Sequence, residues 1–301
     1  MSTSVWPSLP VHELRKEEDD STERELSWLL ESLQETLASL KTGLEDCYAL
    51  LAPVEPGSTL VMSSPRSEYL KGHITRVGTQ VVKGTLHLRL KSLPQCSFSL
   101  SPTLPLLLEP LTQLRTLLNQ SLDCVDITRW TGDRHSAPFI SSQLHLLHSI
   151  LTEAKLVLKG PSLLESPIQT PASLNWAHNP VDPDTFAPAL PSNLSLDLTI
   201  SDGSLLLTIR VLEPVAQQVN FGSRIAFAIG AQRRLEHDEM DEVFMFKGEE
   251  VRVKEKVRVE SADPRLMSVL AKVAALEHTV EGARAGLKIV MGGDGLLEAE
   301  D

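Results

Sequence analysis

The sequence predicts an α+β protein: an elongated helical bundle built from N-terminal, middle and C-terminal helices, with an antiparallel β domain inserted between them. Three observations predict it. Leu26, Leu30, Leu33, Leu37, Leu40, Leu44, Cys47 and Leu51 step by four and three residues near the start. Leu266, Val269, Val273, Leu276, Val280, Ala283, Leu287 and Val290 do the same near the end. Between them the apolar period changes from helical spacing to two, and does so in two separate blocks. A seven-residue stripe lies on one side of a helix and has to be covered by other helices. Alternation at period two marks half-buried strands.

The elements follow in order. Residues 1–21 are polar, with an acidic run from Glu17 to Asp20, and are expected to form a disordered acidic tail. Thr22 and Glu25 have capping-box spacing, which places the first helix start there. Pro53 and Pro56-Gly57 end it. Residues 57–101 read as about three strands, with Cys96 to Leu100 as a fourth. Helical spacing returns at Leu104, Leu108, Leu111, Leu114, Leu118, Leu122 and Val125. An interior proline clashes with the preceding turn, so Pro105 and Pro110 put the regular start at Pro110. Ile140, Leu144, Leu147, Leu151, Ala154 and Leu158 form the next helix, ended by Gly160-Pro161. The short connection makes these two helices antiparallel neighbours.

Residues 161–185 read as a proline-rich loop. Leu194, Leu196, Leu198 and Ile200 then alternate with polar residues, Ser201-Asp202-Gly203 turns the chain, and Leu205, Leu207, Ile209 and Val211 return. Ile225 to Ile229, Val243 to Phe246, and Val251 to Val259 are further strands. Asp263-Pro264 supplies an N-cap and a first-turn proline for the last helix. Residues 292–301 form a second acidic tail. The bundle is thus expected from 22–52, 103–160 and 263–291, and the β domain from 57–101 and 186–260.

Composition narrows the function. Net charge is -12, which argues against general nucleic-acid binding and against tight adhesion to anionic lipid. No stretch approaches the roughly 20 apolar residues of a membrane span. The N-terminus has no signal-peptide pattern, and Cys47, Cys96 and Cys124 are odd in number and widely spaced. A reduced cytoplasmic protein is expected.

Chemistry-bearing motifs are scarce. His145 and His148 share a helix face, but no Cys or HExxH pattern completes a metal site. Gly132-Asp-Arg-His135 and Gly292-Gly-Asp-Gly295 lack the strand–loop–helix context of a phosphate loop. No nucleophile elbow or paired acids are visible, so neither an enzyme nor a cofactor is expected. Arg252, Lys254, Lys256 and Arg258 alternate with valines and would put four cations on one strand face. Such a row is either a solvated, edge-protecting face or a contact for an acidic partner. Glu255 falls on the valine side, a sign of a bend or edge. Phe186, before Pro188 and Pro191, is either a docking residue or a rigid entry into the hairpin that plugs the core. The heptad stripes could pair between chains, but helices of one chain can satisfy each other, which favours an internal seam.

Three words in the sequence resemble the Rogdi family. They are Phe186-Ala-Pro-Ala-Leu-Pro-Ser-Asn-Leu194 before a hairpin, Gln80-Val-Val-Lys-Gly84-Thr-Leu86-His-Leu88 in a strand, and Glu25-Leu-Ser-Trp28-Leu29-Leu30 opening a helix. The leucine-zipper-like ends also fit. The resemblance spans roughly residues 23–290 and is weak over 128–182 and 213–248. It implies a non-catalytic scaffold subunit of the RAVE complex, promoting assembly of the peripheral and membrane sectors of the vacuolar proton ATPase. The implied partners are the large propeller-containing RAVE subunit and the ATPase sectors, with peripheral recruitment to vacuolar and endosomal membranes. The alternative is a helical adaptor or tether in endosomal traffic unrelated to the ATPase.

Overall fold

Two buried carboxylates, each bonded beside an irregularity in a strand ladder, organise the β part of this chain. The computed structural model describes residues 10–160, 175–215, 237–240 and 242–292. Residues 1–9, the loop at 161–174, the expected strand at Ile225 to Ile229, and the tail from 293 lie outside the described residues. The helices are α1 (Val11–Leu50), α2 (Glu109–Asp126, continued by a π turn Ile127–Thr131), α3 (Ala137–Lys159), α4 (Asn175–His178) and α5 (Pro264–Val290). Contacts divide the chain into two compact units. One holds Met1–Tyr48, Thr116–Ala154 and Lys272–Asp301; the other holds Ala49–Arg115 and Lys155–Ala271.

The first unit is helical. Leu30, Leu33, Leu37, Leu40, Leu44 and Cys47 of α1 are buried in steps of three and four. Leu118 and Val125 of α2, Ile140, Leu144, Leu147 and Leu151 of α3, and Val273, Val280 and Leu287 of α5 are buried too. Each fully buried aliphatic side chain contributes about 1.5–3 kcal/mol. The two heptad stripes therefore close on partners within one chain. At Gly43 the first and last helices come so close that an added Cβ would lie 2.7 Å from Leu276 Cδ2. Lys272 Nζ bonds Asp46 at 2.9 Å and Lys41 Nζ bonds Asp126 at 2.7 Å. Thr152 donates to Glu277 at 2.9 Å. Burial pushes the Cys47 thiol up to about 11, with Lys272 opposing, so it is a small apolar filler and not a thiolate.

The first helix begins eleven residues earlier than its capping-box signal. Thr22 caps nothing: its hydroxyl donates to the Glu18 carbonyl at 2.9 Å, inside the helix. The start lies after Pro10, whose carbonyl accepts from Glu13 and Leu14. Residues 11–21, expected to be disordered, are helical and exposed. Their Glu, Leu, Arg and Lys are strong helix formers, and helix propagation from the packed part costs little.

The second unit contains two antiparallel sheets. In the first, β1 (Ser58–Ser63), β2 (Leu70–Val77), β3 (Gln80–Leu88), β4 (Cys96–Leu100) and β6 (Phe186–Ala187) lie in that order, and β5 (Leu106–Leu107) pairs with β3. In the second, β7 (Leu194–Ser201), β8 (Ser204–Pro214), β10 (Glu249–Ala262) and β9 (Val243–Phe246) lie in that order. The hairpin between β7 and β8 turns at Asp202 (φ 46°) and Gly203 (φ 72°), the left-handed pair that the sequence called for. Its amides donate to the Lys159 and Leu158 carbonyls at 3.0 Å and so cap α3. Strand β8 is buried on both faces from Ser204 to Leu212. Part of the expected loop 161–185 is ordered structure: α4 seats Trp176, 3 % exposed, in an apolar cluster with Leu212, Phe244, Phe246, Val251 and Val253.

Arg76 of β2 and Asp263 are both buried and bonded at 2.7 Å. Arg76 Nη1 also donates to the Gly78 carbonyl at 2.6 Å, and Asp263 Oδ1 accepts from Arg265 N at 3.0 Å, while Arg76 Nη2 is buried with no partner among the described residues. The capping role of Asp263 is the one its Asp-Pro spelling announced; its buried partner on the other sheet was not legible.

Two stability predictions result. Asp263→Ala leaves a buried guanidinium without its carboxylate and removes the cap, so unfolding in denaturant should be easier by about 3–5 kcal/mol. A change below about 1 kcal/mol in denaturant titration would mean that the pair is not holding β2 to the start of α5. Deleting residues 1–21, by contrast, should reduce helical circular dichroism while shifting the melting temperature by less than about 2 °C, because residues 11–21 make no buried contact.

Candidate partner-binding surface

The register of β10 decides what the basic strand can do. Val253 pairs with Leu212, and Glu255 pairs with Val211, so Lys254 sits in a bulge. Neighbouring positions on β8 face opposite ways, and the two halves of β10 therefore expose opposite parities. Val251 and Val253 share the face of Leu212, whereas Val257 and Val259 share that of Ile209 and Leu207. The expected row of four cations is broken. Arg252 pairs with Glu213 on one face; Lys256 and Arg258 lie on the other. Lys254 is half exposed, 3.7 Å from Glu213. The bulge also answers the oddity of Glu255: it is buried, and accepts from the amides of Lys91 at 3.2 Å and Ser92 at 2.9 Å.

Lys256 is committed to internal partners. Its side chain is 9 % exposed and its Nζ lies 2.7 Å from Asp238 and 2.8 Å from Glu239. Glu239 in turn takes a two-point contact from Arg210, at 2.7 and 2.8 Å. The Arg210 guanidinium lies 4.5 Å from the Trp176 ring centroid, and Asp197 lies 4.0 Å away. Burial pushes the Glu239 carboxyl up, but Arg210 and Lys256 outweigh it and hold the group below its ordinary value. Asp238 is likewise held down by Lys256 against burial. Burial wins at Asp197, whose carboxyl is raised despite Arg210.

Arg258 is exposed and lines a cleft of about 270 Å³ with Ser64, Pro65, Tyr69, His237, Glu255, Lys256 and Val257. Among the expected contact residues, only Lys256 and Arg258 meet there. Phe186 offers no docking surface: it is 6 % exposed, pairs with Leu100 in β6, and fills the core. His145 is engaged by Arg284 at 3.0 Å. Among the described residues, no group of three or more His, Cys, Asp or Glu side chains could hold a metal ion, and no helix is long and apolar enough to cross a membrane.

Sequence reasoning missed Arg210, Asp197 and Trp176. The first two had a signal, since each is a charge inside an alternating strand, on the polar side of its hairpin. His237 and Glu239 stand in a loop and carried none.

A helical unit closed on its own heptads and a two-sheet unit with a charged, cleft-bearing face define an α+β protein. Its family can be stated. The model of the Rogdi leucine zipper containing protein family matches residues 25–288, and the chain belongs to that family. It is also similar to the Regulator of V-ATPase in vacuolar membrane protein 2 of Schizosaccharomyces pombe, with 25% identity over 288 residues, which is 89% of this chain and 93% of that protein.

Charge changes on β10 should separate two classes of lysine. Lys254→Glu should leave stability within about 0.5 kcal/mol, as for most surface substitutions. Lys256→Glu sets a third carboxylate against Asp238 and Glu239 and should cost on the order of 2–3 kcal/mol. Equal unfolding midpoints would contradict the buried cluster. Because the Glu239 carboxyl is depressed in the folded chain, its contribution is present at neutral pH and lost as pH falls below its ordinary 4.5. The penalty of Glu239→Gln should shrink in that window.

Proposed function

We propose that this chain is a non-catalytic scaffold subunit of a RAVE-type complex that promotes joining of the peripheral and membrane sectors of the vacuolar proton ATPase. The similarity to a named V-ATPase regulator along nearly the full length of both chains carries this reading. In this role the partners are the large propeller-containing subunit and the ATPase sectors. Recruitment to vacuolar and endosomal membranes is peripheral, through those partners.

Loss of the chain should lower the amount of joined ATPase several-fold while each sector persists, and the organelle should acidify poorly, most visibly at elevated external pH or calcium. Sector co-purification from depleted cells measures this. Normal joining in those cells would overturn the assignment. Recovery of coats or small GTPases alone, with no ATPase sector or propeller-containing subunit, would favour a role as an adaptor in endosomal traffic. The purified chain should not turn over ATP.

A further inference from the structure

The cleft beside β10 has donors without acceptors, and that imbalance identifies its ligand. The acids around it are already occupied. Both oxygens of Glu255 accept backbone amides, from Lys91 and Ser92. Asp238 is held by Lys256, and Glu239 by Lys256 and Arg210. Ser64 is also used, accepting from the Tyr69 and Leu70 amides and donating to the Leu70 carbonyl. His237 Nδ1 accepts the amide of Glu239 at 3.2 Å, which leaves the ring proton on Nε2. That Nε2 is buried and has no hydrogen-bond partner among the described residues. Among the described residues the Tyr69 hydroxyl and the exposed Arg258 guanidinium likewise have none. Residues carrying three donors of different kinds thus line one polar cleft, while among the described residues Glu255, Asp238 and Glu239 are all bonded. An unmatched buried donor costs the free energy of its lost hydration, which a bound acceptor would restore.

We propose that this cleft binds an acidic peptide segment of a partner protein, with a carboxylate received by His237 Nε2–H, Tyr69 Oη–H and Arg258. A carboxylate-bearing segment is favoured over a phosphate dianion for two reasons. Lys256, the other cation of the cleft, is already neutralised, and the exposed carboxylate of Asp238 lies close by. The field is therefore weakly positive, suited to single charges received by directed donors. The volume of about 270 Å³ is large enough for one or two side chains. This extends the binding role proposed above by assigning a surface and the chemistry of its occupant.

The test uses the purified full-length chain and fluorescently labelled hexaglutamate, followed by anisotropy at low salt. Saturable binding is expected, weakened at least tenfold by Arg258→Ala and about threefold by Tyr69→Phe, with Lys288→Ala on α5 binding as the unmodified chain does. Arg258 is exposed, so melting curves of its variant should be unchanged. The expected order of weakening supports the cleft. Unchanged affinity in folded Arg258→Ala overturns it, as does saturable binding of inorganic phosphate or phosphatidylserine vesicles without binding of hexaglutamate. Sector joining in depleted cells is a separate readout, so failure of the cleft leaves the assembly role standing.

Discussion

The β unit depends on two carboxylates being carried into its interior at bulged points of the sheets. Arg76 meets Asp263 where the β2–β3 register slips, with Thr75 opposite Lys83 and Arg76 opposite Val81. Glu255 meets the amides of Lys91 and Ser92 where the β8–β10 register slips at Lys254. A bulge adds a residue, increases the local twist and re-aims the side chains beyond it. In a regular ladder Glu255 would share the face of Val251 and Val253 and intrude on the cluster around Trp176. With the bulge it turns away from them and satisfies the chain leaving β3. Buried charges are tolerable only when their hydrogen-bonding groups are matched. Here Asp263 is met by Arg76 from β2 and Glu255 by the amides after β3, so each contact also fixes where those elements lie.

The same bulge explains how far the sequence could be read. Periodicity carried what periodicity determines: the heptads of α1 and α5, the alternation of β7 and β8, and the Asp-Gly turn between them. Local chemistry carried the Asp263-Pro264 helix start. A single inserted residue, however, inverts every side chain after it, and nothing in Val-Lys-Glu-Lys-Val distinguishes a bulge from a continuous strand. Four cations that look equivalent in the sequence are consequently a Glu213-facing arginine, a bulge lysine, an internally paired lysine and an exposed arginine. Glu255 was the visible symptom. The start of α1 was misplaced for another reason: a capping box is a local signal, and a longer run of good helix formers before it took precedence.

Phe186 and Trp176 show how a proline-rich stretch can carry core residues. Phe186 is the core plug that one of its two sequence readings gave, whereas Trp176 lies in a stretch that read as loop. Yet a chain crossing the end of a sheet is held most economically by an aromatic side chain inserted into the core, and each of these rings is so used. In the case of Trp176 the ring also supports Arg210, packing against Phe244 at 5.0 Å on one side and the guanidinium at 4.5 Å. That orders Arg210, which in turn holds Glu239, the residue that shares Lys256 with Asp238. The charged face is thus anchored through an aromatic residue from a segment with no strand or helix periodicity.

The leucine stripes that mark the family in sequence are satisfied inside this chain. Their apolar positions are at most a few per cent exposed along α1 from Leu30 to Cys47, and a Cβ added at Gly43 would lie 2.7 Å from Leu276 Cδ2 of the last helix. A stripe in that state has no apolar area left to offer a second helix, and the hydrophobic effect scales with area still in water. Pairing between chains through these heptads would require the bundle to open and lose what it gained. The surfaces that folding leaves incompletely satisfied lie elsewhere. Tyr69, His237 and Arg258 meet that description by hydrogen-bonding capacity, even though the chain as a whole carries a net charge of -12. Net charge governs long-range repulsion and is screened by salt over a distance of about 8–10 Å. Within the cleft, the directed donors decide.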